Sequence, residues 1–184
     1  MSKKLILIIG APGAGKSTQA NLLAQKYPEK ITSYSTGELL KQESQSGSVM
    51  GKIISDYFYK GHLVPSSVII DIVLDAIKAA PTDVVVIEGF PRKEKQVKLF
   101  GDVLFHHNDI ELLNVIEISI SDVMAKKRFI GSEEMFENEM QAFKETIAEV
   151  EKYYEEHDLL KVVDGEAPLD DVFSQIEEII REKI

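Results

Sequence analysis

Eight residues near the N-terminus have the spacing of a phosphate-binding loop, G-x-x-x-x-G-K-[ST]. They are Gly10, Ala11, Pro12, Gly13, Ala14, Gly15, Lys16 and Ser17, and Thr18 follows them. An apolar run at residues 5–9 precedes the loop and a helical segment follows it. Glycines let such a loop curl so that its backbone N–H groups, and the N-terminus of the next helix, face phosphate oxygens. The pattern predicts a phosphate site in which Lys16 reaches the β- and γ-phosphates and Ser17 binds Mg²⁺.

A carboxylate follows a second apolar run, where Val84-Val85-Val86-Ile87 ends in Glu88-Gly89. Proteins with this kind of loop place an acidic residue near the magnesium ion and its waters. We therefore expect Glu88 to act on Mg²⁺, largely through water, with Ser17 beside it. On spacing alone, an acidic residue that merely ends a strand is the alternative.

Apolar runs alternate along the chain with segments of helical periodicity, which is typical of a parallel α/β sheet. The predicted strands cover residues 4–9, 31–34, 84–87, 113–118 and 160–163. The predicted helices cover residues 16–26, 37–45, 49–59, 66–79, 92–103, 122–129, 133–156 and 169–183. Together with the loop, this order predicts a P-loop NTPase fold, a five-stranded parallel sheet flanked by helices, as a single domain over residues 1–184.

Composition excludes several classes of function. The chain has no cysteine, which rules out disulfides, thiolate metal sites and cysteine nucleophiles. Its four histidines lack the spacing of a zinc site, so the only metal expected is Mg²⁺. A net charge of −10 argues against a nucleic-acid partner. No apolar run approaches the roughly 20 residues of a membrane span, and no signal peptide is recognisable. A cytoplasmic monomer is expected.

Four motifs, taken in order, resemble those of adenylate kinases. They are the loop at residues 10–18, Ser35-Thr36-Gly37-Glu38-Leu39-Leu40, Gly61-His62-Leu63-Val64-Pro65 and Glu88-Gly89-Phe90-Pro91-Arg92. Val163-Asp164-Gly165 is also similar to the loop that lies beside the adenine of ATP in this family. The resemblance covers nearly the whole chain. It implies MgATP as donor, AMP as acceptor and ADP as product, with a small helical insert that binds the monophosphate at about residues 35–64.

Individual roles follow from the same resemblance, where residues match. On the ATP side, Arg128 resembles the arginine that packs on the base, in addition to the loop itself. On the AMP side, the implied residues are Thr36, Lys41, Val64, Gly89, Arg92 and Gln96. Thr36 and Gln96 resemble the residues that border and read the adenine of AMP, and Arg92 resembles the arginine that grips its phosphate. Lys16, Arg92 and Lys41 are the expected catalytic phosphate contacts.

The sequence also departs from the family. Adenylate kinases carry an arginine-bearing lid between the helix of Arg128 and the next long helix, and here only residues 130–132 connect the two. A further arginine of the family corresponds to Glu139, and residues 132–156 contain nine Glu, two Lys and no Arg. Lys41 replaces an arginine, and Lys cannot reproduce its planar bidentate grip. Glu38 and Glu88 replace aspartates.

Three functions therefore stay open from the sequence. The first is an adenylate kinase with reduced turnover and some ATP hydrolysis. The second is a weakly active or inactive nucleotide-binding or interaction protein on the same scaffold. The third is a kinase for another small phosphate acceptor, which Thr36 and Gln96 together disfavour.

Overall fold

The computed structural model describes residues 2–60 and 62–184, so Gly61 of the third motif lies outside the described residues. Five parallel strands form one sheet in the order β2-β3-β1-β4-β5. The strands are β1 (Lys3–Gly10), β2 (Ile31–Ser35), β3 (Val84–Glu88), β4 (Ile110–Ser119) and β5 (Leu160–Asp164). The helices are α1 (Lys16–Lys26), α2 (Thr36–Gln45), α3 (Val49–Tyr59), α4 (Ser66–Ala79), α5 (Glu94–His106), α6 (Asp122–Arg128), α7 (Glu133–Glu156) and α8 (Leu169–Ile180). The predicted five-stranded α/β fold is confirmed.

The continuous apolar runs arise because the sheet is covered on both faces. Along β1, Leu5 and Leu7 pack in the cluster that includes residues of α4, α5 and α7, whereas Ile6 and Ile8 pack with α1 and α8. All four side chains are fully buried. Burying one such side chain stabilises the fold by about 1.5–3 kcal/mol. The central strand is therefore held firmly from both sides, and its end is a rigid support for the phosphate loop.

Four predicted boundaries differ from the structure by two residues or more, and one of them is the end of α5, at His106 and not at residue 103. β4 begins at Ile110 and not at residue 113, because its first residues continue the pairing with Lys3 and Lys4 of β1. α5 begins at Glu94 and not at residue 92, since Lys93 is extended. The side chain and the backbone N–H of Arg92 form hydrogen bonds with Gly89 and Gln96 instead of continuing the helix. α8 ends at Ile180 and not at residue 183.

Helices α2 and α3 form a closely packed pair beyond β2. Ser35 caps α2, because its hydroxyl accepts a hydrogen bond from the N–H of Glu38 at 3.5 Å. Gly51 of α3 lies so close to α2 that a Cβ atom at this position would overlap the carbonyl oxygen of Glu43. Ile54 of α3 is buried against Val64 in the segment that leads into α4. The region predicted as a helical insert thus contains two packed helices, which begin directly after β2 and contact the segment that leads into α4.

A buried carboxyl group interrupts the apolar face of β4. Glu117 is 7% exposed, pairs in register with Ile9 at the end of β1, and faces Glu151 and Glu155 of α7. Burial, and then the neighbouring Glu151, raise the pKa of Glu117 to about 7. The native protein therefore takes up a proton here at a pH at which the unfolded chain has lost it.

The Glu117 carboxyl should make the free energy of unfolding fall as the pH rises from about 5 to about 8. In that window the unfolded chain is ionised at this residue, while the folded protein keeps the proton until its higher pKa is passed. Glu117→Gln should remove about 1–3 kcal/mol of this pH dependence. Urea denaturation at pH 5.5 and pH 8 measures it, with Glu178→Gln on the exposed side of α8 as control. An unchanged pH dependence in Glu117→Gln would contradict the assignment.

Candidate active site

The carboxyl ends of the five strands meet at one edge of the sheet. The chain leaves β1 for β2 on one side, and after β3 it crosses to β4 on the other side of β1. A crevice opens at such a change of direction, and ligands of parallel α/β proteins bind there. The loop at residues 10–17 begins at the end of β1, in the middle of this edge.

The phosphate loop is pressed against its neighbours at two glycines. Gly13 has a φ of +81°, and a Cβ atom there would overlap the carbonyl oxygen of Ala125 in α6. A Cβ atom at Gly10 would lie 2.7 Å from the carbonyl oxygen of Ile118 in β4. In the loop, Ala11, Pro12 and Ala14 are buried, Gly10, Gly13, Gly15 and Lys16 are half-buried, and Ser17 and Thr18 are exposed. Close packing on β4 and α6 therefore fixes the curl that the motif requires.

The N-terminus of α1 is open to an anion. Gly15, at its start, is left-handed with a φ of +90°, and no side chain of the described residues caps the helix. The first N–H groups of a helix have no partner within the helix, and they carry its partial positive charge. This end of α1 points its donors into the loop, as phosphate binding requires.

Lys16 folds back over the loop from which it rises. Its Nζ atom donates hydrogen bonds to the carbonyl oxygens of Gly10, at 3.0 Å, and Ala11, at 2.9 Å. Burial lowers the pKa of Lys16 to about 8, and the positive charge of Arg92 contributes to the decrease. The negative charges of Glu88 and Glu139 act in the opposite direction. The amine is thus held in a confined place between charges of both signs, where an incoming phosphate would favour its charged form.

Glu88 connects the phosphate loop to the start of the helical pair. It is 5% exposed at the end of β3, and its Oε1 atom accepts a hydrogen bond from the Ser17 hydroxyl at 2.8 Å. Its main-chain carbonyl accepts a hydrogen bond from the buried Thr36 hydroxyl at 3.0 Å. One residue therefore fixes the distance between the loop and α2.

The pair Ser17 and Glu88 fits a magnesium ion. A hydroxyl and a carboxylate are hard oxygen donors, and Mg²⁺ is usually held by one or two protein oxygens, with water and phosphate oxygens for the rest. Among residues 2–60 and 62–184, no group of three or more acidic or histidine side chains could hold a metal by itself. The donor set matches an ion that arrives with a phosphate ligand.

Arg92 and Gln96 are fixed to each other on the other side of Glu88. The Nε atom of Arg92 donates a hydrogen bond to the carbonyl oxygen of Gly89 at 2.8 Å, and its backbone N–H donates to Oε1 of Gln96 at 2.7 Å. Gln96 is 4% exposed. Gly89 has a φ of +79°, and a Cβ atom there would lie 3.2 Å from the guanidinium. The guanidinium is therefore positioned by the turn that follows Glu88.

The other predicted residues lie further out. Val64 is buried against Ile54 and Ile72, while Lys41 lies on α2 with an exposed side chain. The structure brings Thr36, Arg92 and Gln96 together around Glu88 and Gly89, and leaves Lys41 at the surface. Lys41 would reach a ligand only as a flexible charge.

Arg128 lies on the opposite side of the phosphate loop. Its Nη1 atom donates a hydrogen bond to the carbonyl oxygen of Gly165 at 2.6 Å, and the N–H of Gly165 donates to the carbonyl of Ser119 at 2.8 Å. These contacts tie α6 to the loop after β5. A cleft of about 550 Å³ lies beside this loop, lined by Ser119, Ile120, Ser121, Val162, Val163, Asp164 and Glu166.

One neighbour of the site, Gln19, was missed by sequence reasoning, whereas Glu139 was singled out only as the replacement of an arginine. Gln19 of α1 is buried and donates from Nε2 to the carbonyl oxygen of Leu169 at 3.3 Å, which links the phosphate loop to the start of α8. Glu139 of α7 exerts its charge on Lys16. The apolar stripe of α7 was visible in the sequence, but nothing in it indicated that Phe136 and Met140 pack on Ala11 of the loop.

The arrangement suits the transfer of a phosphoryl group between two phosphate-bearing ligands. Backbone N–H groups, Lys16 and Arg92 supply positive charge around the crevice, and Ser17 with Glu88 supplies donors for a divalent cation. Phosphoryl transfer needs alignment and charge stabilisation of this kind, and no covalent nucleophile.

Comparisons with known proteins agree with this geometry. A family model described as adenylate kinase matches residues 8–159. The chain is 40% identical to an adenylate kinase of a Sulfurovum species, over 99% of this chain and all of the relative. It is 40% identical to one of Nautilia profundicola, over 98% of each chain, and 41% identical to one of Campylobacter jejuni, over 97% of each.

Gly13→Ala should destabilise the protein by about 2–4 kcal/mol, because a methyl group must fit both a left-handed backbone and the nearby Ala125 carbonyl. Gly47→Ala is the matched control, since Gly47 has a φ of +76° and open space around its Cβ position. It should lose only about 1–2 kcal/mol, the cost of the backbone conformation alone. Urea denaturation compares them, and equal losses would show that the contact with α6 is unimportant.

Proposed function

The chain belongs to the adenylate kinase family, and on that premise we propose that it transfers a phosphoryl group from MgATP to AMP, giving two ADP. It is a nucleoside monophosphate kinase. One observation above all supports the proposal. Glu88 contacts Ser17 of the phosphate loop through its side chain and Thr36 through its carbonyl, so a donor site and an acceptor site would share one wall.

In this proposal the donor phosphates bind the N–H groups of the loop and of α1, and displace the Gly10 and Ala11 carbonyls from the Lys16 amine. Magnesium held near Ser17 and Glu88 would neutralise part of the phosphate charge. Arg92 would hold the acceptor phosphate, and its guanidinium is already oriented by the Gly89 carbonyl. Lys16 and Arg92 would then both act on the transferred group, and they would stabilise the charge that spreads over its oxygens.

AMP is the acceptor that the buried polar residues favour. Thr36 and Gln96 are both nearly inaccessible to water, and each is fixed by a hydrogen bond, so they can present defined edges to a base. Val64 would border the base with apolar surface. The exposed Lys41 would add a phosphate contact that is less rigid than an arginine contact. Arg128 and the loop around Gly165 would border the base of ATP.

We further propose that turnover is reduced. The connection between α6 and α7 spans only residues 129–132, and α7 carries no arginine. The alignment with the Sulfurovum protein is 196 residues long, so that relative carries at least 12 residues that this 184-residue chain lacks. Without one fixed charged group at the reacting phosphate, the transition state is less stable by about 2.7–4 kcal/mol. A site without a cover also admits water, which favours hydrolysis of ATP.

A nucleotide-binding protein with little or no turnover is the second candidate. The acidic α7 beside the loop and the exposed Lys41 favour it, because both weaken the grip on phosphate. Compartment and assembly stay predictions from the sequence, a cytoplasmic monomer. No helix among the described residues is long and apolar enough to cross a membrane.

An assay of ADP and free phosphate from MgATP, with and without AMP, tests the proposal. We expect ADP formation to depend on AMP and on Lys16, at a rate several orders of magnitude below an intact site. We also expect measurable phosphate release. Lys16→Ala controls for contaminating kinase, because it removes the side chain whose amine lies at the loop. Nucleotide binding without any Lys16-dependent turnover would favour the second candidate, and tight coupling without free phosphate would contradict the predicted leakage.

The affinity for MgATP should fall as the pH rises above about 8. In the free protein the Lys16 amine loses its proton with a pKa of about 8, and the neutral amine no longer attracts phosphate. Titrations at pH 7.5 and 9.5 should differ by about tenfold. Lys16→Arg should bind with a much flatter pH profile, since a guanidinium stays charged in this range. Parallel profiles for the two proteins would assign the effect to another group.

A further inference from the structure

Helix α7 is docked directly on the phosphate loop. Phe136 and Met140 are each 7% exposed, and they pack in one cluster with Ala11 of the loop and Ala125 of α6. Residues three and four apart on a helix are neighbours, so Glu139 lies next to Phe136 along the edge of this buried stripe. The packing therefore holds one carboxylate of α7 beside the loop.

The Glu139 carboxylate acts there as a charge and not as a hydrogen-bonding partner of the lysine. The Lys16 amine donates to the Gly10 and Ala11 carbonyls, whereas the Glu139 side chain is exposed to solvent. The two groups are nevertheless close, because the Lys16 amine donates to the carbonyl of Ala11, and Ala11 packs in one cluster with Phe136 and Met140, which flank Glu139. The effect of the Glu139 charge on the pKa of Lys16 agrees with this placement. A phosphate that takes the place of the carbonyls at Lys16 would enter this same negative field.

Other carboxylates of α7 face elsewhere. Glu133 forms an ion pair with Lys126 of α6 at 2.5 Å, and Glu151 faces Glu117 of β4. Glu134 is exposed in the first turn of the helix, one turn before the contact with the loop. The position of Glu139 thus differs from that of these three residues, and Glu134 offers a matched carboxylate away from the site.

We propose that Glu139 is a specificity-determining residue of the donor site, which weakens the binding of nucleoside triphosphates relative to diphosphates. This inference rests on the proposed function, because it assumes that the loop holds the donor polyphosphate. Repulsion from a fixed carboxylate grows with the charge of the ligand, and a triphosphate carries about one more negative charge than a diphosphate. The repulsion from Glu139 would therefore weaken the binding of the substrate ATP more than the binding of the product ADP.

Removal of this charge should strengthen ATP binding more than ADP binding. For an exposed carboxylate near the ligand, the repulsion corresponds to about threefold to tenfold in affinity per ligand charge at low salt. Glu139→Gln should therefore raise the ratio of ATP to ADP affinity by about that factor, and Glu139→Lys should raise it further. Because the group is exposed, both gains should shrink at high salt, where charges are screened beyond a few ångströms.

Isothermal titration with ATP and with ADP tests the proposal at equilibrium, without AMP, at about 20 mM and 500 mM salt. The proteins are the wild type, Glu139→Gln, Glu139→Lys and the controls Glu134→Gln and Glu134→Lys, with urea midpoints to verify that all are folded. A larger ATP to ADP ratio in the Glu139 variants alone, reduced by salt, is the expected result. Equal gains for ATP and ADP, or the same gains in the Glu134 variants, would overturn the proposal.

The same titrations separate this inference from the proposed function. If the wild type binds ATP, Lys16→Ala abolishes this binding and the Glu139 variants do not change the ratio of ATP to ADP affinity, only the role of Glu139 is overturned. The donor site then stays in place. Absence of ATP binding in every variant, including Glu139→Lys, would overturn both. Catalytic turnover is not needed for either decision, so a weakly active protein can be tested equally well.

Discussion

The hydrogen bond between Ser17 and Glu88 is the interaction on which the geometry of the site depends. It joins the first turn of α1, which follows β1, to the end of β3, and the fully buried residues of β1 and β3 fix the pairing of these two strands. The main-chain carbonyl of the same glutamate holds Thr36 at the start of α2. Gly89 and Arg92 follow directly. A shift of β3 against β1 would therefore move Glu88, Arg92 and the helical pair together relative to Ser17.

Charge balance in the site differs from that of the whole chain. The protein carries a net charge of −10, yet the crevice contains Lys16, Arg92 and the open N-terminus of α1. Burial works against the charge of Lys16, and nearby carboxylates help to sustain it in the free protein. The protonated form of the Lys16 amine is thus less stable than that of a lysine in water, as long as no phosphate is bound. Binding can restore full charge to it, which makes the loop selective for anions even on an acidic protein.

The connection between α6 and α7 determines what covers this site. Because only four residues separate the two helices, α7 lies directly beside the phosphate loop. Phe136 and Met140 of α7 pack on Ala11 of the loop. This packing stabilises the loop from outside. In the proposed function it would leave the bound phosphates open to water and place a carboxylate near them. The family relation establishes a nucleoside monophosphate kinase. The short connection is the physical reason to expect a slow and partly hydrolytic one.

The sequence by itself determined the class of fold and most elements. Strands that are buried on both faces appear in the sequence as continuous apolar runs, and all five strands were predicted from such runs. The spacing of the glycines and Lys16 predicted the phosphate loop. The resemblance to adenylate kinases also predicted AMP-binding roles for Thr36, Arg92 and Gln96, and these roles stay predictions. What only the tertiary structure decided are contacts between distant segments that the sequence did not predict: the Glu88 carbonyl with Thr36, Gln19 with Leu169, and α7 with Ala11. The start of α5 was also misplaced, because Arg92 is held by Gly89 and Gln96 outside the helix. Local sequence patterns indicate which residues are apolar and where the chain can form a turn. They do not indicate which other element a residue contacts, because such contacts depend on the packing of the whole chain.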